Sequence, residues 1–156
     1  MDELFSLPTT DYAVRIAARL GVAALVGGLI GFEREWTGKA AGLRTHMTVS
    51  LGCATFMLLA IEGGTDASNV SRTIQGIAAG IGFIGAGTIL KRHDEEDIKG
   101  LTTAAAIWLT AAVGAAAGAG QGWLALIGVL IAFLILSILS PVDRWLAKKR
   151  GHPPTA

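Results

Sequence analysis

The chain has 156 residues, of which 52% are hydrophobic and only 16% charged, with a net charge of +1 and a mean hydropathy of +0.56. Soluble domains average about 25% charged residues, so a water-borne domain is excluded for want of polar surface. The near-zero net charge excludes the basic footprint of a nucleic-acid binder. Cys53 is the sole cysteine and lies in an apolar run, which rules out a disulfide framework and reads as a small packing residue.

Residues Met1–Thr10 carry Asp2 and Glu3 and no base. A secretory leader needs a positive start and a small-residue cleavage site. The first apolar run is therefore expected to stay in the protein, behind an extracytoplasmic tail of residues 1–10. That run, Asp11 to Phe32, is roughly 33 Å long as a helix and can cross a hydrocarbon core of about 30 Å. Within it Arg15 and Arg19 stand four apart on one face. Arg15 can snorkel to the surface, whereas an arginine as deep as Arg19 costs at least about 2.5 kcal/mol. Its candidate partners are Glu62, Asp66 or carbonyls of the glycine-rich helix further on. A pin joining span one to its neighbours is favoured over a substrate or counter-ion site. Gly27 and Gly31 form a small-xxx-small pair near the end of the span.

A polar stretch, Glu33 to Thr45, leads to a second span over His46 to Ile61 and then a polar turn ending at Arg72. The third span, Ile74 to Leu90, reads IQGIAAGIGFIGAGTIL and contains Gly76, Gly80, Gly82, Gly85 and Gly87. In water each interior glycine costs about 1 kcal/mol relative to alanine. In lipid the backbone must close its own hydrogen bonds, and bare glycine faces let neighbouring helices approach. This span is expected to be the hub of a helical bundle, surrounded by partners.

The loop KRHDEEDIK, Lys91 to Lys99, holds four consecutive acids, Asp94, Glu95, Glu96 and Asp97. Carboxylate oxygens suit a hard cation such as Mg²⁺, but runs of like charge normally face water, and Lys91, Arg92 and Lys99 flank this one. The cation site is the minority reading, and no other cofactor is expected. A fourth span, Leu101 to Ala119, is rich in alanine, with Gly114 and Gly118 four apart. After the link Gly120–Gly122 comes a fifth, Trp123 to Leu139, made of bulky aliphatics and expected at the lipid-facing periphery. Pro141 ends it, and residues 141–156 form a basic tail.

Ten of the thirteen bases fall in the first and third loops and the tail: Arg34, Lys39, Arg44, Lys91, Arg92, Lys99, Arg144, Lys148, Lys149 and Arg150. The opposite side has Arg72 alone. Positive charge stays cytoplasmic, so the architecture expected is an all-α membrane protein of five transmembrane helices, N-terminus outside and C-terminus in the cytoplasm. The hairpins echo one another. Leu29-Ile30-Gly31 is followed by Gly42-Leu43-Arg44-Thr45, and Phe83-Ile84-Gly85 by Gly100-Leu101-Thr102-Thr103. That pattern is consistent with a parallel duplication, in competition with chance likeness between glycine- and alanine-rich segments.

Polar residues gather at the inner helix ends: Glu33, Arg34 and Glu35 after span one, Arg44, Thr45 and His46 at the start of span two, and Thr102 and Thr103 at the start of span four. Singly, the hydroxyls read as N-caps and the charges as interfacial anchors. Together they are a candidate site. His46 has no second histidine at ligand spacing. No HExxH motif, serine–histidine pairing or intramembrane aspartate pair points to an enzyme.

GLIGFERE (Gly28–Glu35), AGLRTHM (Ala41–Met47), GFIGAGTIL (Gly82–Leu90) and GLTTAAAIW (Gly100–Trp108) occur in an order that resembles the signature blocks of the MgtC/SapB family of bacterial inner-membrane proteins, covering roughly Arg19 to Gly120. The resemblance marks Arg19, Gly31, Glu33, Arg34, Glu35, Gly42, Leu43, Arg44, Thr45, His46, Gly85, Gly87, Thr88, Gly100, Thr102 and Thr103. It implies a membrane protein tied to growth at low magnesium and, in pathogens, to survival in host cells. Members of the family are linked to modulation of ATP synthase and of phosphate uptake. The family's namesake carries a soluble C-terminal domain, whereas this chain stops at Ala156, so a role that depends on that domain is not expected here. The leading expectation is a non-enzymatic regulator in the bacterial inner membrane, a homodimer or other homo-oligomer in the lipid bilayer whose polar cluster binds a membrane protein partner or an anion. The alternative is a small transporter or channel for an ion or phosphate.

Overall fold

The apolar runs fold as helices because, in lipid, only a closed i→i−4 ladder satisfies the backbone. In the computed structural model, which describes residues 9–63, 67–91, 98–139 and 149, these are α1 (Thr10–Trp36), α2 (Leu43–Glu62), α3 (Ala67–Ala86), α4 (Leu101–Gly118) and α5 (Gly122–Phe133), the last running on as a π-helical turn, Leu134–Ile138. Two short strands, β1 (Leu90–Lys91) and β2 (Ile98–Lys99), pair antiparallel with Leu90 opposite Lys99. By length and composition α1, α2 and α4 can each cross a membrane. Apart from that two-residue ladder the fold is built of helices, and the chain is an all-α membrane protein.

Helix limits differ from the expected spans in an informative way. α1 does not stop at Phe32 but carries Glu33, Arg34 and Glu35 in its last turn. That turn is closed by backbone bonds from Thr37 to Glu33 and from Gly38 to Glu35, and by the Thr37 hydroxyl donating to the Glu33 carbonyl at 2.9 Å. α3 starts earlier than Ile74 and stops at Ala86, where Gly87 and Thr88 turn into β1. α2 and α4 both begin at a leucine behind a glycine N-cap, Gly42 and Gly100. Gly100 has φ +94°, and an added Cβ would run into the Thr88 carbonyl, so this junction admits only glycine. Thr102 and Thr103 are therefore not N-caps, because the helix has already started at Leu101.

The expected hub is corrected. α3 lies at the edge of the bundle, and α4 packs against all four other helices. α4 can do so because its faces are nearly bare. An added Cβ at Gly114 would come within 2.6 Å of Ser50 Cα, and one at Gly118 within 2.6 Å of Ala54 Cα, so two backbones touch. Gly27 and Gly31 of α1 meet α2 in the same manner, at Ser50 and at Leu43 and His46. α3 instead turns its isoleucines inward, Ile77 and Ile81 packing with Cys53, Ile107 and Ala111. A Cβ added at its Gly76, Gly80 or Gly82 would meet nothing from another segment within 4 Å among the described residues, and of its glycines Gly85 alone faces another helix, at Ala104. The larger apolar side chains take the inward stripe because they remove more surface from contact with lipid or solvent, and the glycines are left outside. α5 buries Ala125, Val129 and Ala132 and exposes its leucines and isoleucines, a one-sided peripheral helix.

Candidate functional site

At the end of the bundle where α1 finishes and α2 begins, three ionisable side chains lie together on a buried face. α1 turns Ala23, Val26, Gly27, Ile30 and Gly31 inward, and the same stripe continues one turn further into Glu33 and Arg34. Arg34 is 3% exposed and Glu33 5%, and Arg34 Nε donates to Glu33 Oε2. An ion pair this deep contributes little net stability, but loss of either partner strands a charge at a cost of about 3–5 kcal/mol. His46, fully buried, comes from the first turn of α2 and packs against the bare backbone of Gly31. Its Nδ1 lies 2.9 Å from the Gly42 carbonyl oxygen. A carbonyl can only accept, so Nδ1 carries the proton and Nε2 is left as an acceptor. Among the described residues, Nε2 of His46 and Oε1 of Glu33 have no hydrogen-bond partner. Both are acceptors, so the chemistry they offer is to a donor or a cation.

The other expected members are dispersed. Glu35 is exposed, and its Oε2 accepts the Leu43 N–H at 2.8 Å, capping α2 from the preceding helix. An added Cβ at Gly42 would sit 2.7 Å from that oxygen, which is why a glycine lets the carboxylate in. Arg44 is exposed, Thr45 half-buried. Thr88 donates to the Gly85 carbonyl at 2.7 Å and belongs to the α3–α4 junction, as do exposed Thr102 and buried Thr103. Asp94, Glu95, Glu96 and Asp97 lie outside the described residues. Among those described, no group of three or more His, Cys, Asp or Glu side chains is placed to hold a metal.

Arg19 belongs to a different place, fourteen residues and about 21 Å along α1 from Glu33. Its Nη1 lies 3.7 Å from Glu62 Oε1 at the end of α2 and donates to the Gly118 carbonyl of α4 at 3.4 Å. Glu62 is an expected partner. The carbonyl comes from α4 rather than from the glycine-rich α3, and Asp66 is outside the described residues. A cation at the C-terminal end of a helix meets the negative pole of its dipole and its unpaired carbonyls. Gly120, at φ +79°, lies directly beneath the guanidinium. The arrangement is that of a pin across three helices.

Between these ends the polar groups are closed on the protein itself. Ser50 donates to the Ala23 carbonyl at 2.6 Å, a bond from α2 to α1, and Thr110 to the Ala106 carbonyl at 2.8 Å. Sequence reasoning passed over Ser50, although a lone hydroxyl in an apolar span is itself a signal of an interhelical bond.

The MgtC family model matches residues 20–145 of the chain. Protein SrpB of Synechococcus elongatus is 43% identical over 153 residues, covering 90% of this chain and 84% of its own length. A protein of Escherichia coli K12 named putative magnesium transporter YhiD is 40% identical over 141 residues, 86% of this chain and 65% of its own length. Protein MgtC of Brucella abortus is 41% identical over 138 residues, 86% of this chain and 57% of its own length. The chain thus spans just under two thirds of YhiD and a little over half of MgtC. No solved structure matches it.

Proposed function

The chain belongs to the MgtC family of bacterial inner-membrane proteins, and from that premise we propose that it is a magnesium-linked membrane regulator. On this reading it is not an enzyme, and it engages a membrane protein partner at the end of the bundle marked by Glu33, Arg34, His46 and the exposed Arg44. One observation carries the reading. The polar groups fall into two separate terminal sets about 21 Å apart along α1, and the section between them is packed backbone to backbone at Gly27, Gly114 and Gly118 with its hydroxyls bonded internally. A conduit needs a wettable path, and a sealed section between terminal sites suits a binding protein. Uncovered Gly76 and Gly80 support a homo-oligomer. The Glu33 end is the cytoplasmic end on the charge asymmetry of the loops.

A second reading, a small transporter of an ion or phosphate, is favoured by the paired hairpins and by the name of the relative YhiD. Two experiments divide them. Glu33→Ala and Arg44→Ala in a deletion strain should each abolish complementation at low magnesium while the protein stays in the membrane, and normal growth of both variants would put the site elsewhere. Purified protein in vesicles should move neither Mg²⁺ nor phosphate, and saturable flux would overturn the regulator in favour of the transporter.

A further inference from the structure

A groove of about 400 Å³ runs between the last turn of α1 and the end of α5. Its walls are Phe32 and Trp36 from α1 and Phe133 and Leu136 from α5 and its π-helical extension, with Ser137 at the edge. Glu33 lines the same groove. It is 5% exposed, its Oε2 takes the Arg34 guanidinium, and its Oε1 has no partner. The π-helical turn, Leu134–Ile138, shifts Leu136 and Ser137 out of the regular ladder where they meet the groove, and such turns recur at functional sites. As a 27-residue helix, α1 is about 40 Å long and overhangs a hydrocarbon core of about 30 Å. With the start of α1 set at one interface, its last turn and the groove reach headgroup depth at the other, and Trp36, 82% exposed, is then at the level where tryptophan is enriched.

We propose that this groove is a lipid site that takes a phospholipid with a primary ammonium headgroup, its N–H groups donated to Glu33 Oε1 and an acyl chain laid along Phe32, Phe133 and Leu136. The chemistry selects this occupant. The unpartnered atom is an acceptor, so an anionic head brings nothing to it, and a bare hydrocarbon chain leaves it unpaired. A quaternary ammonium has charge but no N–H. Glu33 is already balanced by Arg34, so the head that adds no net charge is a zwitterionic one. Aromatic walls suit a cation over a ring face and offer a broad apolar surface to the tail. The inference does not depend on whether the chain regulates or transports.

The test uses the full chain, reconstituted in vesicles of equimolar phosphatidylethanolamine, phosphatidylcholine and phosphatidylglycerol, re-extracted in mild detergent and read by native mass spectrometry. Retained phosphatidylethanolamine should exceed phosphatidylcholine about tenfold, the ratio for one charge-assisted hydrogen bond. Ser137→Trp, which fills the groove and leaves both members of the ion pair in the sequence, should bring the ratio to one at an unchanged melting temperature. Should it fail to fold, Leu136→Trp fills the groove from the neighbouring position of the same turn. Equal retention of the ethanolamine and choline lipids overturns the proposal, as does preference for the anionic glycerol lipid. So does a ratio that survives in a folded, groove-filled variant. A change of oligomeric state in Ser137→Trp with lipid retention untouched would give the groove to a second copy instead.

Discussion

Glu33 and Arg34 are adjacent in sequence, and adjacency on a helix normally sends two side chains to different faces, 100° apart. Here both fit one buried surface because the inward stripe of α1 is wide at its end, where α2 starts close by on the Gly31 and Gly42 backbones. The pair is held in low dielectric, so its two halves are interdependent. Arg34→Met and Glu33→Leu should each lower stability by about 3–5 kcal/mol, and the double variant should recover most of that loss. Unfolding of the purified protein in detergent measures all three, and single variants within about 1 kcal/mol of the parent, the scale of an exposed pair, would mean that the pair is solvated. Sequence made Glu33, Arg34 and His46 legible as candidates, since charges at a span end need a reason. It could not say which of the candidates would be buried. Glu35 was spent on a cap and Arg19 on the far pin, and neither outcome follows from spacing, because each depends on where a second and third helix end.

At the scale of the helix, glycine count proved a poor guide to position and glycine neighbourhood a good one. The segment with five glycines sits at the edge, whereas α4, with Gly114 and Gly118, touches every other helix. A helix needs its small residues on the stripe that faces its partners, and in α3 that stripe is taken by Ile77 and Ile81. Substitution separates the two kinds of glycine. Gly27→Ala places a carbon 2.6 Å from the His46 carbonyl and the Ser50 side chain and must force α1 and α2 apart, with an expected loss of about 1–3 kcal/mol. Gly76→Ala and Gly80→Ala enter open space and should raise the stability of a single chain by about 0.5–1 kcal/mol each through helix propensity. If they lower it and also shift the oligomer toward monomer in size-exclusion chromatography, the uncovered face of α3 is where a second copy packs. Helix number and order were readable because apolar length against bilayer thickness is a one-dimensional property. The hub was not, because it is set by which stripe wins the inside.

For the molecule as a whole, direction of packing says which helix ends lie together, and the placement of charge proposes which membrane face those ends occupy. α1 and α2 run antiparallel, Gly27 meeting Ser50 and Gly31 meeting Leu43, while α2 and α4 run parallel, Ser50 meeting Gly114 and Ala54 meeting Gly118. The starts of α2 and α4, each a leucine after a glycine N-cap, therefore lie at one end, together with Arg34 in the last turn of α1, Lys39 in the link that follows it and Arg44 in the first turn of α2. The internal echo has the same frame: Gly31 faces His46 and Gly85 faces Ala104, and these pairs correspond when Gly31 is laid on Gly85 and, with four more residues in the second loop, Gly42 on Gly100. In that correspondence Glu33, Arg34 and His46 fall on Gly87, Thr88 and Ala104, so one hairpin keeps the ionic group and the other keeps only the glycine packing. An asymmetric pair of hairpins with one charged end should insert in one direction. Alkaline phosphatase fused after residue 65 or 121 should be active, and fused after residue 39, 95 or 149 inactive, in intact cells. Because retention of bases on the cytoplasmic side is cumulative over several loops, neutralising Lys39 and Arg44 alone should leave that pattern unchanged. Phosphatase activity at residue 95 or 149 in the parent would reverse the orientation and move the Glu33–Arg34–His46 group to the outer face, out of reach of any cytoplasmic partner.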